Sequence, residues 1–284
     1  MKNDGKLLEP SQFVEETRQP LQLEPKKIRL SEEDRTLFAS LRFGLIQKPE
    51  LEKAEKEYID RLLEKFVMNV TALNNYLDCP IRFYYSNLVR VPMVKSEAAE
   101  FGTAVHAALN DFINHMMNNG KIYPGKEFLL DRYRVHINSG REVFTKETLQ
   151  RFSEYGEEIL DKYFDKYYNP APKGEFILTE YPLTKVVINE VPLKGFTDKI
   201  QFWGNDIVIT DFKTGNLVKA KARGDFDLPG TEKKLQGGNY WRQAVFYKLL
   251  ADNLPGKNWK VQYTQFDFVE PNSKNEFDLL RVDV

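Results

Sequence analysis

Residues 195–215 read GFTDKIQFWGNDIVITDFKTG, and this stretch decides the predicted fold. Two runs of β-branched and aromatic residues flank the turn dipeptide Gly204-Asn205, which predicts two antiparallel strands joined by a hairpin. Asp211 and Lys213 stand two residues apart at the end of the second strand. Because side chains alternate across a strand, these two side chains are predicted to point to the same side of the sheet.

Two carboxylates are predicted to meet at this strand end. Asp198 lies in the first strand, so pairing through the hairpin brings it close to Asp211. Converging carboxylates form a hard oxygen site suited to Mg²⁺ or Mn²⁺. Lys213 can then stabilise the charge that grows on a phosphate under attack, or orient and deprotonate the attacking water. An Asp-x-Lys at a strand end is nevertheless common, and by itself it is usually a surface ion pair.

The chain before the sheet is predicted to consist of an arm followed by helices. Residues 1–30 are polar and proline-bearing, which favours an extended arm. Ser31 and Asp34 predict a helix start, and Pro49 opens a stronger helix over 50–66. Helices without a sheet of their own at this end favour a fragment cut from a longer chain.

Periodicity assigns the remaining elements. The predicted helices cover 71–78, 98–117, 146–168 and 240–251. The predicted strands cover 176–178, 185–188, 191–202, 206–212, 261–269 and 277–282, and a polar loop covers 214–238. A sheet region flanked by helices on both sides in sequence predicts an α/β fold.

Composition limits the classes of function. Lys plus Arg number 41 and Asp plus Glu number 42, so binding of nucleic acid requires a local basic surface rather than a basic protein. No apolar run approaches the roughly 20 residues of a membrane span. The N-terminus lacks the apolar core of a secretory signal, which predicts a cytoplasmic protein without membrane partners.

Several motifs occur in an order that resembles a known family. The segments ALNNYLDCPIRFYYSNLVRVP (72–92) and FGTAVHAAL (101–109) precede GFTDKI and IVITDFKTG, and RQAVFYKLL (242–250) follows them. Together they resemble the RecB-type nuclease module of the PD-(D/E)xK superfamily, as found at the C-termini of RecB and AddAB-like helicase-nucleases. The resemblance covers about residues 68–250.

The resemblance implies a fold and an activity. It implies a restriction-endonuclease-like core over 67–284, with a central mixed β-sheet flanked by helices, and an arm with N-terminal helices over 1–66. It implies a Mg²⁺- or Mn²⁺-dependent deoxyribonuclease of DNA repair and recombination, acting as an exonuclease on single-stranded or helicase-fed DNA or on duplex ends. A helicase domain or subunit, in the same chain or complex, is the implied partner.

The resemblance also implies roles for the matching residues. His106, in FGTAVH, is implied as a metal ligand, with Asp198 and Asp211 as the first and second metal carboxylates. The backbone carbonyl of Phe212 completes the metal shell, and Lys213 is the catalytic lysine. A histidine beside an apolar stripe is otherwise more often a packed core residue than a ligand.

Three further residues match the family's catalytic positions. Glu180, in LTEYP, matches the acidic residue that precedes the Asp motif and acts through a water on the metal, although Glu175 could serve the same position. Gln243 and Tyr247, spaced as Q-x-x-x-Y, match the final motif, on a helix that lines the site. Both could instead be ordinary helix-face residues, and the aromatic residues between and before them are expected to pack.

The sequence departs from many members of the family in its cysteines. Many relatives bind an iron-sulfur cluster through four cysteines, but Cys79 is the only cysteine here, so no cluster is expected.

Two other functions are open for the same sequence. The first rival is a catalytically inactive nuclease-fold module that binds DNA or scaffolds a helicase complex. The second is a metal-dependent phosphoesterase acting on RNA or nucleotides. Retention of Asp198, Asp211 and Lys213 favours the nuclease.

Overall fold

A computed structural model describes residues 18, 31–34, 51–169, 176–230 and 234–284. The chain divides into two compact units, Met1–Tyr58 and Ile59–Val284. In the first unit, the backbone N–H of Asp34 donates to Ser31 Oγ (3.0 Å) and the backbone N–H of Ser31 donates to Asp34 Oδ2 (2.9 Å). This reciprocal cap confirms the helix start at Ser31. Except for residue 18, the predicted arm lies outside the described residues, and the domain boundary after residue 66 stays a prediction.

Most of the helices precede the sheet in the sequence, and the last two lie between two of its strands. They are α1 (Leu51–Glu64), α2 (Val70–Asp78), α3 (Pro80–Phe83), a π-helical turn (Tyr84–Leu88), α4 (Glu97–Asn118), α5 (Lys126–Ser139), a 3-10 turn (Arg141–Val143), α6 (Lys146–Tyr167), α7 (Leu217–Ala222) and α8 (Asn239–Asp252). Within the described ranges, no helix has both the length and the apolarity to cross a membrane. The predictions of α1, α2, α4, α6 and α8 are confirmed.

Three α-helices of the described residues were not predicted: α3, α5 and α7. Helix α3 is only four residues long. Helix α5 buries Leu129, Leu130, Tyr133 and Ile137, but charged residues interrupt its apolar positions, so the periodicity is weak. Helix α7 lies within the predicted loop 214–238 and is only six residues long. It begins because the side chain of its N-cap residue, Asn216, accepts a hydrogen bond from the backbone N–H of Lys219.

Five strands form one mixed sheet in the order β1-β2-β3-β4-β5. The strands are β1 (Ile177–Ile188), β2 (Val191–Trp203), β3 (Asp206–Lys213), β4 (Lys260–Phe268) and β5 (Leu279–Val282). Among these five strands, β3 and β4 pair in parallel and the other neighbours are antiparallel. The predicted hairpin is confirmed: Trp203 pairs with Asp206 across a turn in which Gly204 adopts φ +66°. Residues 177–178 of the first predicted run and the whole run 185–188 belong instead to the single strand β1.

Strand β3 lies at the centre of the fold. Residues 207–212 are all buried, because helices cover both faces of the sheet. Phe212 belongs to the apolar core formed by α4, α5 and α6, whereas Ile209 belongs to the core formed with α8. The prediction of an α/β restriction-endonuclease-like fold with a central mixed sheet is confirmed, and the polar end of β3 emerges between these two cores.

A buried polar contact ties α6 to the sheet. The hydroxyl of Tyr163 donates to Asp267 Oδ2 at 2.6 Å, and both residues are buried. Asp267 Oδ1 accepts no hydrogen bond from the described residues. Burial raises the pKa of Asp267, and the hydrogen bond from Tyr163 partly replaces the water that the buried carboxyl has lost.

Substitution of Tyr163 by Phe is therefore expected to destabilise the protein. The buried carboxyl loses its donor, and the free energy of unfolding should fall by about 1–3 kcal/mol in urea denaturation. Tyr167→Phe, one turn further along α6 at a half-exposed position, is the matched control and should change stability little. Equal losses in the two variants would contradict the assignment.

Candidate active site

Asp211, at the end of β3, is the most enclosed acid of the site, with 3% of its surface exposed. Its Oδ1 accepts hydrogen bonds from the hydroxyl of Tyr247 (2.7 Å) and from Nε2 of Gln243 (2.6 Å). Its Oδ2 lies 2.7 Å from Nζ of Lys213 but accepts no well-aligned hydrogen bond, so this contact is an ion pair. The Q-x-x-x-Y motif of α8 thus meets the Asp-x-Lys motif of β3.

Lys213 is held from three sides. Its Nζ donates to Oε1 of Gln243 at 3.0 Å and lies 4.4 Å from the centre of the Tyr240 ring. Burial alone lowers the pKa of Lys213, but the charge of Asp211 outweighs it, and the pKa lies above its ordinary value. Tyr240 packs as expected, and in addition its ring faces the ammonium, a contact that the sequence pattern did not indicate.

Asp198 and His106 connect the hairpin to α4. Asp198 Oδ2 accepts a hydrogen bond from the backbone N–H of Phe212 at 2.7 Å, which places this carboxylate beside β3. His106 Nδ1 lies 3.4 Å from the same oxygen. Burial lowers the pKa of His106, but the contact with Asp198 outweighs it and raises the pKa overall. Close approach of α4 uses Gly102, where a Cβ would lie 2.8 Å from Thr214 Oγ1.

Glu180 faces the same space from β1. It lines a cavity of about 440 Å³ together with His106 and Asp198. Its φ of +46° lies in the left-handed region, a strained conformation that non-glycine residues rarely adopt and that often marks a functional position. Burial and the charge of Asp198 raise the pKa of Glu180. The alternative residue, Glu175, lies outside the described residues.

The donor set suits a divalent cation in its chemistry. Glu180, Asp198 and Asp211 supply the carboxylate oxygens that suit Mg²⁺ and Mn²⁺, and His106 supplies an imidazole nitrogen, a ligand of transition metals. Burial raises the pKa of both other acids, the charge of Asp198 adds to this rise, and a cation would relieve the repulsion between the carboxylates. In the described part of the chain, no three His, Cys, Asp or Glu side chains are grouped closely enough to hold a metal. Asp211 instead directs both oxygens to the residues of α8 and to Lys213, so closure of a metal site requires its carboxylate to turn.

The fold and the site together define an α/β protein with a lysine and convergent carboxylates at the end of its central strand. The model of the PD-(D/E)XK nuclease superfamily matches residues 67–279, which is most of the chain. The chain therefore belongs to the PD-(D/E)XK nuclease superfamily, whose members are typically nucleases that use Mg²⁺ or Mn²⁺. Comparison with curated proteins gave no match. The predicted superfamily is confirmed, and the RecB-type module stays a prediction.

Loss of the Tyr247 hydroxyl is expected to weaken the protein as well as the site. Tyr247→Phe removes a donor from buried Asp211 and should lower the free energy of unfolding by about 1–3 kcal/mol. Thermal unfolding measures this as a Tm lower by about 2–4 °C for each kcal/mol lost. Tyr240→Phe keeps the ring beside Lys213 and serves as control; a variant of Tyr247 as stable as this control would argue against a structural hydrogen bond.

Proposed function

We propose that the protein is a metal-dependent deoxyribonuclease that hydrolyses phosphodiester bonds. One observation carries the proposal: Asp211 and Lys213 are paired at the tip of the central strand and oriented by Gln243, with Asp198 hydrogen-bonded to the intervening backbone of Phe212. An ordinary surface ion pair is not enclosed in this way, so the enclosure argues against a surface ion pair as the only role of Asp211 and Lys213.

The residues have separate roles in this proposal. His106, Asp198, Asp211 and the backbone carbonyl of Phe212 would hold the cation, and Glu180 would orient water at its edge. When bound, the ion supplies Lewis-acid chemistry to the phosphate and to the attacking water.

Lys213 is proposed to stabilise negative charge on the phosphate. Its ammonium contacts Asp211, Gln243 and Tyr240, so its position is fixed before the substrate arrives. A charge that is already oriented needs no reorganisation in the transition state, and the partly dry surroundings strengthen its effect. Gln243 and Tyr247 act as positioning residues, since both also bond to Asp211.

The motif order supports a RecB-type role. We infer an exonuclease that acts on single-stranded or helicase-fed DNA in repair and recombination, with a helicase domain or subunit as partner. A cytoplasmic location and the absence of an iron-sulfur cluster belong to the same proposal.

A catalytically inactive DNA-binding module is the second candidate. One observation favours it: both oxygens of Asp211 are occupied by protein groups, and no three potential ligands among the described residues form a closed set. Such a module would bind DNA and fail to cleave it. Metal binding and cleavage therefore separate the two candidates.

Substitution of Lys213 by Ala is expected to reduce DNA cleavage. Removal of one charge-stabilising group from a site of this kind costs about 10²–10³-fold in rate. Cleavage of labelled single- and double-stranded DNA is measured with Mg²⁺, Mn²⁺ or EDTA. Lys274→Ala, in the exposed turn before β5, is the matched control. Absence of metal-dependent product from the unmodified chain, or full activity of the Lys213 variant, would reject the nuclease proposal.

Substitution of Asp198 by Asn is expected to weaken metal binding. Loss of one carboxylate ligand should lower Mn²⁺ affinity at least about 10-fold, because even outer-shell changes have effects of this size. Calorimetric titration with Mn²⁺ measures the affinity, and the metal-induced rise in Tm provides an independent check. Asp283→Asn near the C-terminus is the control. Equal affinity in all three proteins would remove Asp198 from the ligand set.

A further inference from the structure

A second pocket adjoins the site on the side of α8. It has a volume of about 250 Å³, and its lining includes Asn69, Thr71, Lys194, Phe196, Gln243 and Tyr247. Gln243 and Tyr247 both bond to Asp211, so this pocket adjoins the side chains that enclose the carboxylate. Its outer wall is fixed by the backbone, because the N–H of Lys194 donates to the carbonyl of Met68 at 2.9 Å.

The two pockets differ in charge. The first carries Glu180 and Asp198, which suits a cation. The second carries Lys194, and among the described residues no aspartate or glutamate lines it. Within those same residues Lys194 has no carboxylate partner in an ion pair, and the hydroxyl of Thr71 adds a possible donor. An anionic chain is therefore favoured in the second pocket.

Phe196 gives this pocket an exposed aromatic face. Its side chain is 58% exposed, although it lies in β2 only two residues before Asp198. A single exposed apolar residue is ordinary on a protein surface. An exposed ring beside a lysine, on the rim of the proposed phosphodiesterase site, matches the combination with which proteins bind single strands: a cation for the backbone and a ring for the base.

We propose that this pocket holds the nucleotide next to the scissile phosphate, with its base stacked on Phe196 and its phosphate near Lys194 and Thr71. The inference rests on the proposed nuclease function and names the residues that hold the single-stranded DNA proposed there as substrate. In a duplex the faces of each base are covered by its neighbours, so a ring can stack on a base only where the strand is unpaired and unstacked.

The first experiment measures binding by the full chain in EDTA, so that cleavage plays no part. Fluorescence anisotropy with a labelled single-stranded oligonucleotide should show Kd about 5- to 150-fold weaker for Phe196→Ala, the range expected for loss of one stacked base. Phe196→Trp should retain affinity. Phe176→Ala, another exposed phenylalanine, is the control. Lys194→Ala should reduce the slope of log Kd against log salt by about one. Unchanged Kd for Phe196→Ala overturns the inference.

The second experiment identifies the base that stacks. Oligonucleotides with a single abasic site at successive positions are titrated against the unmodified chain and against Phe196→Ala. One position should weaken binding to the unmodified chain and have no effect on the variant, because both changes remove the same contact. Additive effects at every position overturn the inference.

Failure of the nuclease proposal would look different. If the unmodified chain produces no metal-dependent cleavage but Phe196→Ala still loses the position-specific contact, the pocket is upheld as a DNA-binding site and the catalytic proposal falls. If cleavage is normal and Phe196→Ala binds and cleaves like the unmodified chain, the nuclease proposal stands and the pocket assignment falls.

Discussion

The ion pair between Asp211 and Lys213 is the interaction on which the rest of the site depends. Enclosure of two opposite charges carries a large desolvation cost, and the cost is tolerated only when the remaining donors and acceptors are satisfied. Here α8 meets that requirement, since Tyr247 bonds to Asp211 and Gln243 bonds to both charged residues. The position of α8 against the sheet is thus set by electrostatics at one end and by apolar packing along its length.

The opposite side of the site depends on how closely α4 approaches the sheet. Gly102 leaves room for Thr214, and one turn later His106 reaches Asp198. The first pocket, which carries Glu180 and Asp198, therefore lies between α4 and the strands β1 and β2, while the second pocket, which carries Lys194, lies between α2, β2 and α8. Residues of α4 thus shape the first pocket and residues of α8 the second.

Much of this arrangement could be predicted, for identifiable reasons. The hairpin follows from Gly204-Asn205 between β-branched runs, and β3 follows from its continuous apolar residues, because both signals are local. Helix α5 was not predicted because its apolar residues show only weak helical periodicity, and packing of its buried residues stabilises it. The left-handed backbone at Glu180 and the inward turn of Asp211 depend on contacts distant in sequence, which no local pattern encodes.

The parallel pairing of β3 with β4 determines which part of the chain encloses Asp211. Parallel neighbours need a crossover connection, and α8 lies in the segment that joins these two strands. Gln243 and Tyr247 therefore belong to the connection itself, and both bond to Asp211. Pairing of β4 with β3 is a long-range contact, and the loop that it closes contains both residues. The enclosure of Asp211 is thus built into the crossover connection of the sheet.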